Sequence, residues 1–125
     1  MKEQIFPKNG PKPVGPYSPA IRANGFIFIS GQGPVSLETG EHIVGTIEDK
    51  VHRVMGNLQV VLDAAGSSMD KIVKTTIYVT DLGNFKKVNE AYGQYFKGIP
   101  PARTTIQAAA LPTGIEVEID AIAVE

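Results

Sequence analysis

The tail of the chain, "PPARTTIQAAALPTGIEVEIDAIAVE" from Pro100 to Glu125, decides the fold. Thr, Ile and Val recur in two runs, 102–109 and 116–124, parted by the turn sequence Leu111-Pro112-Thr113-Gly114. Both runs read as strands, because β-branched residues fit a pleated surface. Side chains alternate along a strand. Arg103, Thr105 and Gln107 share one parity of the first run; Thr104, Ile106 and Ala108 share the other. Glu116, Glu118 and Asp120 share one parity of the second; Val117, Ile119 and Ala121 share the other. The second run then turns apolar on both parities at Ile122, Ala123 and Val124, which predicts burial at its C-terminal end. Charges inside strands have three readings: a solvated sheet face, a cross-strand ion pair or a binding site. An exposed pair contributes under about 1 kcal/mol. In a site, Arg103 would offer its planar fork to a small carboxylate, and Glu118 would act as a base or orient water. Alternation alone does not choose among these.

Upstream of the tail, "KIVKTTIYVT" (71–80) is also β-branched and predicts a strand. Asp81 or Asn84 can cap a helix after it, with Phe85, Val88, Tyr92 and Phe96 on one core-facing stripe and Gly98 and Pro100-Pro101 as its end. The strongest helix signal lies earlier. Thr46 is the expected N-cap, Glu48 and Asp49 favour the positive end of the helix dipole, and Gly66 is the stop. Between them Val51, Val54, Met55, Leu58, Leu62 and Ala65 recur at three- and four-residue spacing. "AIRANGFIFISGQ" (20–32) predicts two strands around Asn24-Gly25, a strong hairpin signal. Residues 2–6 can form a short strand. "PKNGPKPVGPYSP" (7–19) holds five prolines and two glycines, so it must be an extended loop rather than helix.

The expected order is β, β-hairpin, α, β, α, β, β: an α+β single domain over 1–125, with about six strands and two helices on one face. The other face has no cover within one chain. If apolar, it must meet another subunit.

Composition excludes several function classes. The chain of 125 residues supports one domain with a modest core. Its net charge of −1 and scattered basic residues argue against a dedicated nucleic-acid binder. Without cysteine there is no disulfide, thiolate nucleophile or Cys-based metal site. His42 and His52 are expected at the surface and make no zinc motif. The start lacks the apolar core of a signal peptide, and no run approaches membrane-spanning length, so a cytoplasmic protein is expected.

Six separated segments carry a resemblance: "GPYSPAI" (15–21), "FISGQ" (28–32), "NLQVVLDAAG" (57–66), "KTTIYVTDLGNFKKVNEAYGQYF" (74–96), "PPARTTIQAAALP" (100–112) and "VEIDAIAV" (117–124). In this order, over nearly the whole chain, they resemble the RidA/YjgF family of enamine/imine deaminases. The resemblance implies a chorismate-mutase-like fold and a homotrimer whose sheets form a central barrel, with clefts between subunits. It implies hydrolysis of 2-iminobutanoate and 2-iminopropanoate to 2-oxo acids and ammonia, without a cofactor or metal. Partners would be small 2-imino and 2-oxo acids and further copies of the chain. By resemblance, Arg103 grips the substrate carboxylate, Glu118 holds or activates water, and Tyr17 and Ser30 line the cleft beside the Gly31 backbone. Asn89 would lie near the site or the subunit contact. Thr105 stands where many relatives carry cysteine, so a contact there would run through its backbone N–H. Ala110 stands where many carry a basic residue. Some family members are described as endoribonucleases or translation inhibitors, and a chaperone-like carboxylate binder is a third reading. Glu116 and Asp120 are expected to be barrel-facing or solvated.

Overall fold

A computed structural model describes all 125 residues. The strands are β1 (Glu3–Ile5), β2 (Ala20–Ala23), β3 (Phe26–Gln32), β4 (Ile72–Val79), β5 (Ala102–Gln107) and β6 (Val117–Val124); the helices are α1 (Ile47–Ala64) and α2 (Phe85–Gly93). They form one sheet in the order β1-β2-β3-β6-β4-β5. Every neighbouring pair is antiparallel except β4 and β5, which run parallel. The two tail strands are therefore not partners, since β4 lies between them.

Local chemistry sets most of these boundaries. Asn24 (φ 51°) and Gly25 (φ 81°) take the left-handed conformations that a tight hairpin demands. The Thr46 side chain accepts from the Asp49 N–H at 3.1 Å, and the Asp49 carboxylate accepts from the Thr46 N–H at 3.1 Å. This reciprocal box satisfies two otherwise orphaned donors at the start of α1. Gly66, at φ 73°, ends the helix run. At the second helix, Asp81 accepts from the Gly83 N–H and opens a 3₁₀ turn over Leu82–Asn84, and α2 follows. It stops at Gly93 rather than Gly98. Glycine is a poor helix residue, and the chain tightens there through Tyr95 N–H to Tyr92 C=O and Phe96 N–H to Gly93 C=O bonds.

Both helices pack on one face. Val51, Val54, Met55, Leu58, Val61 and Leu62 of α1 and Val88, Ala91 and Tyr92 of α2 are buried. They share one core with Ile27, Ile29, Ile77, Val79, Val117, Ile119, Ala121 and Ala123. Phe85, expected in that core, is instead 41% exposed at the first turn of α2. The other sheet face carries Phe26 and Phe28, 41% and 42% exposed, opposite Val124 and Ile122. Ile122 and Val124 are only half-buried, so the expected two-sided burial at the end of β6 is not met within one chain. Towards β4 the same face turns polar, with Tyr78 donating to Asp120 at 3.1 Å. His52 departs from the surface expectation: it is half-buried, with Nδ1 2.8 Å from the Tyr95 hydroxyl.

One buried amide ties the core to the loops. Asn57, 1% exposed on α1, donates to the carbonyls of Gly33 and Val35 at 3.1 and 3.0 Å. Asn57→Ala leaves both carbonyls without this donor and is expected to lower stability by about 2–3 kcal/mol. A urea titration would read this as a lower midpoint at unchanged m-value; an unchanged midpoint would refute it.

Candidate functional site

A cleft of about 680 Å³ lies where the proline-rich loop crosses the ends of β3 and β6. Tyr17, Ser30, Gly31 and Glu118 line it together. The loop is held there by polar bonds that its sequence does not advertise. Ser30 donates its hydroxyl to the Ser18 carbonyl at 2.6 Å, and the Ser30 N–H reaches the Pro19 carbonyl at 3.0 Å. Gln4 donates to the Ser18 hydroxyl at 2.8 Å. Tyr17, 48% exposed, accepts from the Val14 N–H at 3.4 Å, so its ring stands at the cleft mouth. On the far rim, the hairpin around Val35 and His42 meets the 112–114 turn, with His42 Nε2 3.1 Å from the Thr113 hydroxyl.

Gly31 has a specific reason to be glycine. The β3–β6 ladder slips by one residue between Ile29 and Gln32, a bulge of the kind that re-aims side chains. The bulge brings the Gly31 backbone against Glu118. A Cβ added at Gly31 would stand 2.1 Å from Glu118 Oε2 and 2.7 Å from its carboxyl carbon. The missing side chain is the space the carboxylate occupies.

Glu118 is half-buried, and its pKa is raised, first by loss of solvent and second by the Asp120 carboxylate on the same face. No cation offsets it: the ion pairs of the chain join Arg22 to Glu3, Arg22 to Glu125 and Lys50 to Glu116. A desolvated carboxylate facing a cleft is suited to accept a proton or orient a water. Its neighbours on the strand have structural partners, Glu116 in Lys50 and Asp120 in the Tyr78 hydroxyl.

Arg103 is not in this cleft. In the parallel β4–β5 register Arg103 pairs with Thr75, and Thr105 with Ile77, both of which face the helices. Glu118 pairs with Tyr78 on the opposite parity of β4. Arg103 and Glu118 therefore occupy opposite faces of one sheet, and the cross-strand ion pair is excluded. Arg103 lies instead against α2, its guanidinium carbon 5.6 Å from the centre of the Phe85 ring and 5.3 Å from that of Tyr92. Thr105 follows Arg103 on the same parity of β5, and Asn89 falls between Phe85 and Tyr92 at helical spacing on α2. The Thr105 hydroxyl and the Asn89 side-chain oxygen are both buried without a partner.

Of the other six sequence-derived site residues, Tyr17, Ser30, Gly31 and Glu118 thus line the cleft, while Thr105 and Asn89 lie on the strand and the helix that carry Arg103 and its aromatic neighbours. Sequence reasoning missed Phe85 and Tyr92 as neighbours of Arg103, because their spacing matches any helix core stripe. No three of the His, Asp and Glu side chains gather into a metal-binding group. No helix is long and apolar enough to cross a membrane.

Residues 7–125 match the family described as endoribonuclease L-PSP. A RutC family protein of Pyrococcus horikoshii is 46% identical over 123 residues, covering 98% of this chain and 98% of the relative. The mouse 2-iminobutanoate/2-iminopropanoate deaminase is 39% identical over 125 residues, covering 100% of this chain and 93% of the relative. The crystal structure of a Rid family protein from Yersinia pestis superposes with a TM-score of 0.96 at 46% identity, covering 100% of both chains. The chain belongs to the endoribonuclease L-PSP family, which it shares with Rid proteins and reactive-intermediate deaminases.

Proposed function

We propose that the protein hydrolyses 2-imino acids, 2-iminobutanoate and 2-iminopropanoate among them, to 2-oxo acids and ammonia, at sites between the subunits of a homotrimer. One observation carries the reading: the Arg103 guanidinium and the desolvated Glu118 carboxyl lie on opposite faces of the same sheet, each without a partner of opposite charge. A single site holding both takes two copies of the chain. The exposed Phe26 and Phe28 face would be the surface that further copies cover. The near-40% identity to a named deaminase over the full chain supports the same chemistry.

The mechanism follows from the groups. Arg103 of one copy takes the substrate carboxylate in two parallel hydrogen bonds, which fix position and orientation together. Glu118 of the neighbouring copy holds a water beside the C=N carbon, with the Tyr17 and Ser30 hydroxyls at the same wall. As the water oxygen bonds to carbon, Glu118 accepts a proton from the water and passes it to the imine nitrogen, which gives the neutral carbinolamine. The carbinolamine then collapses: Glu118 relays the hydroxyl proton to the amino nitrogen, the C–N bond breaks, ammonia leaves and the C=O forms. No electrons are exchanged with a second reactant.

Arg103→Ala is expected to lower kcat/KM for freshly generated 2-iminobutanoate by about 100-fold or more. Arg103→Lys should not restore it, because a point charge lacks the fork. A fully active Arg103→Ala protein would sink the reading, and ribonuclease activity that co-purifies and survives the substitution would favour the endoribonuclease description instead. Gly31→Ala should cost at least about tenfold in kcat/KM with KM less affected, since the new methyl must displace the Glu118 carboxylate rather than the carboxylate anchor.

The pH profile tests Glu118 directly. Its ionised form is the active base, so kcat/KM should fall in acid with a midpoint above that of an ordinary glutamate. The stability sign is opposite. A carboxyl whose folded pKa is raised binds its proton more tightly when folded, so ionisation above that pKa costs stability. Glu118→Gln should therefore hold or raise the Tm near neutral pH while activity is lost; a lower Tm with retained activity would contradict both assignments.

A further inference from the structure

Two arginines of this chain are held in contrasting ways. Arg22 has its guanidinium occupied by Glu3 at 3.3 Å, Glu125 at 3.0 Å and the Ala65 carbonyl at 3.0 Å. Arg103 has no ion pair, and what it touches is aromatic: Phe85 and Tyr92, at 5.6 and 5.3 Å from its central carbon. Phe85 and Tyr92 are seven residues apart on α2, two turns and about 10.5 Å along the helix, so the guanidinium lies between them. Tyr92 is buried and fixed in turn. Its hydroxyl is 2.7 Å from that of Thr75, which is fully buried, and its ring packs on Phe96 at 4.8 Å. Phe85 is the opposite case, a large aromatic left 41% exposed.

We propose that Phe85 and Tyr92 are positioning residues that clamp the Arg103 guanidinium between their rings and so hold its fork ready for a carboxylate. A cation over an aromatic face is attracted by the ring quadrupole. That contact takes no hydrogen bond from the guanidinium, whereas a carboxylate binds at its N–H edges. The clamp and the ligand therefore do not compete. An acidic side chain in the same place would order the arginine equally well but would occupy the donors, as Glu3 and Glu125 do for Arg22. Exposure of Phe85 has the same explanation: a ring that meets a solvent-facing arginine must stand at the rim of the core.

This inference rests on Arg103 being the carboxylate anchor of the proposed function, and the test separates the two. The probe is 2-oxobutanoate, a stable 2-oxo acid, titrated by calorimetry into the full-length protein and its variants. Phe85→Leu keeps an apolar residue and removes the ring; it should raise Kd about threefold to fivefold at nearly unchanged Tm. Phe85→Tyr restores the ring and should bind within about twofold of the parent. Tyr92→Phe keeps its ring and should also bind within about twofold, while its Tm falls because the Thr75 hydroxyl loses its partner. In NMR relaxation, the Arg103 Nε–H should be ordered in the unliganded parent and mobile in Phe85→Leu. Parent-like affinity in Phe85→Leu, with binding abolished by Arg103→Ala, overturns the clamp and leaves the deaminase reading standing. Loss in Phe85→Leu that Phe85→Tyr fails to restore also overturns the clamp. Unchanged binding in Arg103→Ala removes the anchor and the clamp with it.

Discussion

The parallel pairing of β5 with β4 is the constraint on which the rest of the site depends. Parallel neighbours cannot be joined by a tight turn; they need a crossover, and here α2 supplies it. The crossover helix must lie on the side of the sheet that α1 already covers, because that is where Val88, Ala91 and Tyr92 find a core. Once α2 is there, the odd parity of β5 faces it, and Arg103 meets Phe85 and Tyr92 instead of solvent alone. β6 then fits on the other edge of β4 and runs antiparallel to both β4 and β3. Its even parity turns Glu118 and Asp120 to the uncovered face, towards the loop that carries Tyr17.

Much of this architecture was legible in the sequence because it is written locally. The Thr46 cap, the apolar stripe of α1, the Gly66 stop and the Asn24-Gly25 turn each act within a few residues, and the structure keeps them all. The resemblance across six segments anticipated the family. Alternation also separated the parities of the two tail strands correctly. It was silent on which parity of one strand shares a face with which parity of another. That relation is fixed by strand order, a long-range property, and the insertion of β4 between β5 and β6 leaves no mark near either. The same limit explains Phe85, whose helical spacing matched the core while its place at the first turn exposed it. Asn57 and His52 escaped for a related reason: their partners, Gly33, Val35 and Tyr95, are 22 or more residues away.

The electrostatics of the cleft run against stability. Glu118 has lost water, faces Asp120, and is offset by no ion pair, an arrangement that a purely structural carboxylate would not retain. Lys50 and Glu116, two residues before it, show the ordinary solution of pairing at the surface. Perturbed groups concentrate where chemistry is done, and the Glu118 carboxyl, pushed upward by loss of solvent, is one of them.

The contact between Gly31 and Glu118 also restricts how sequences of this fold can change. A side chain at position 31 and a carboxylate in this rotamer at position 118 claim the same volume. The two positions cannot drift independently: a path that adds a methyl group at 31 first passes through a chain with a displaced base, and one that loses the carboxylate first releases the glycine. A descendant that had lost the carboxylate at 118 could therefore fill position 31 freely. The pair of residues at these positions, more than either alone, would mark which relatives keep this contact.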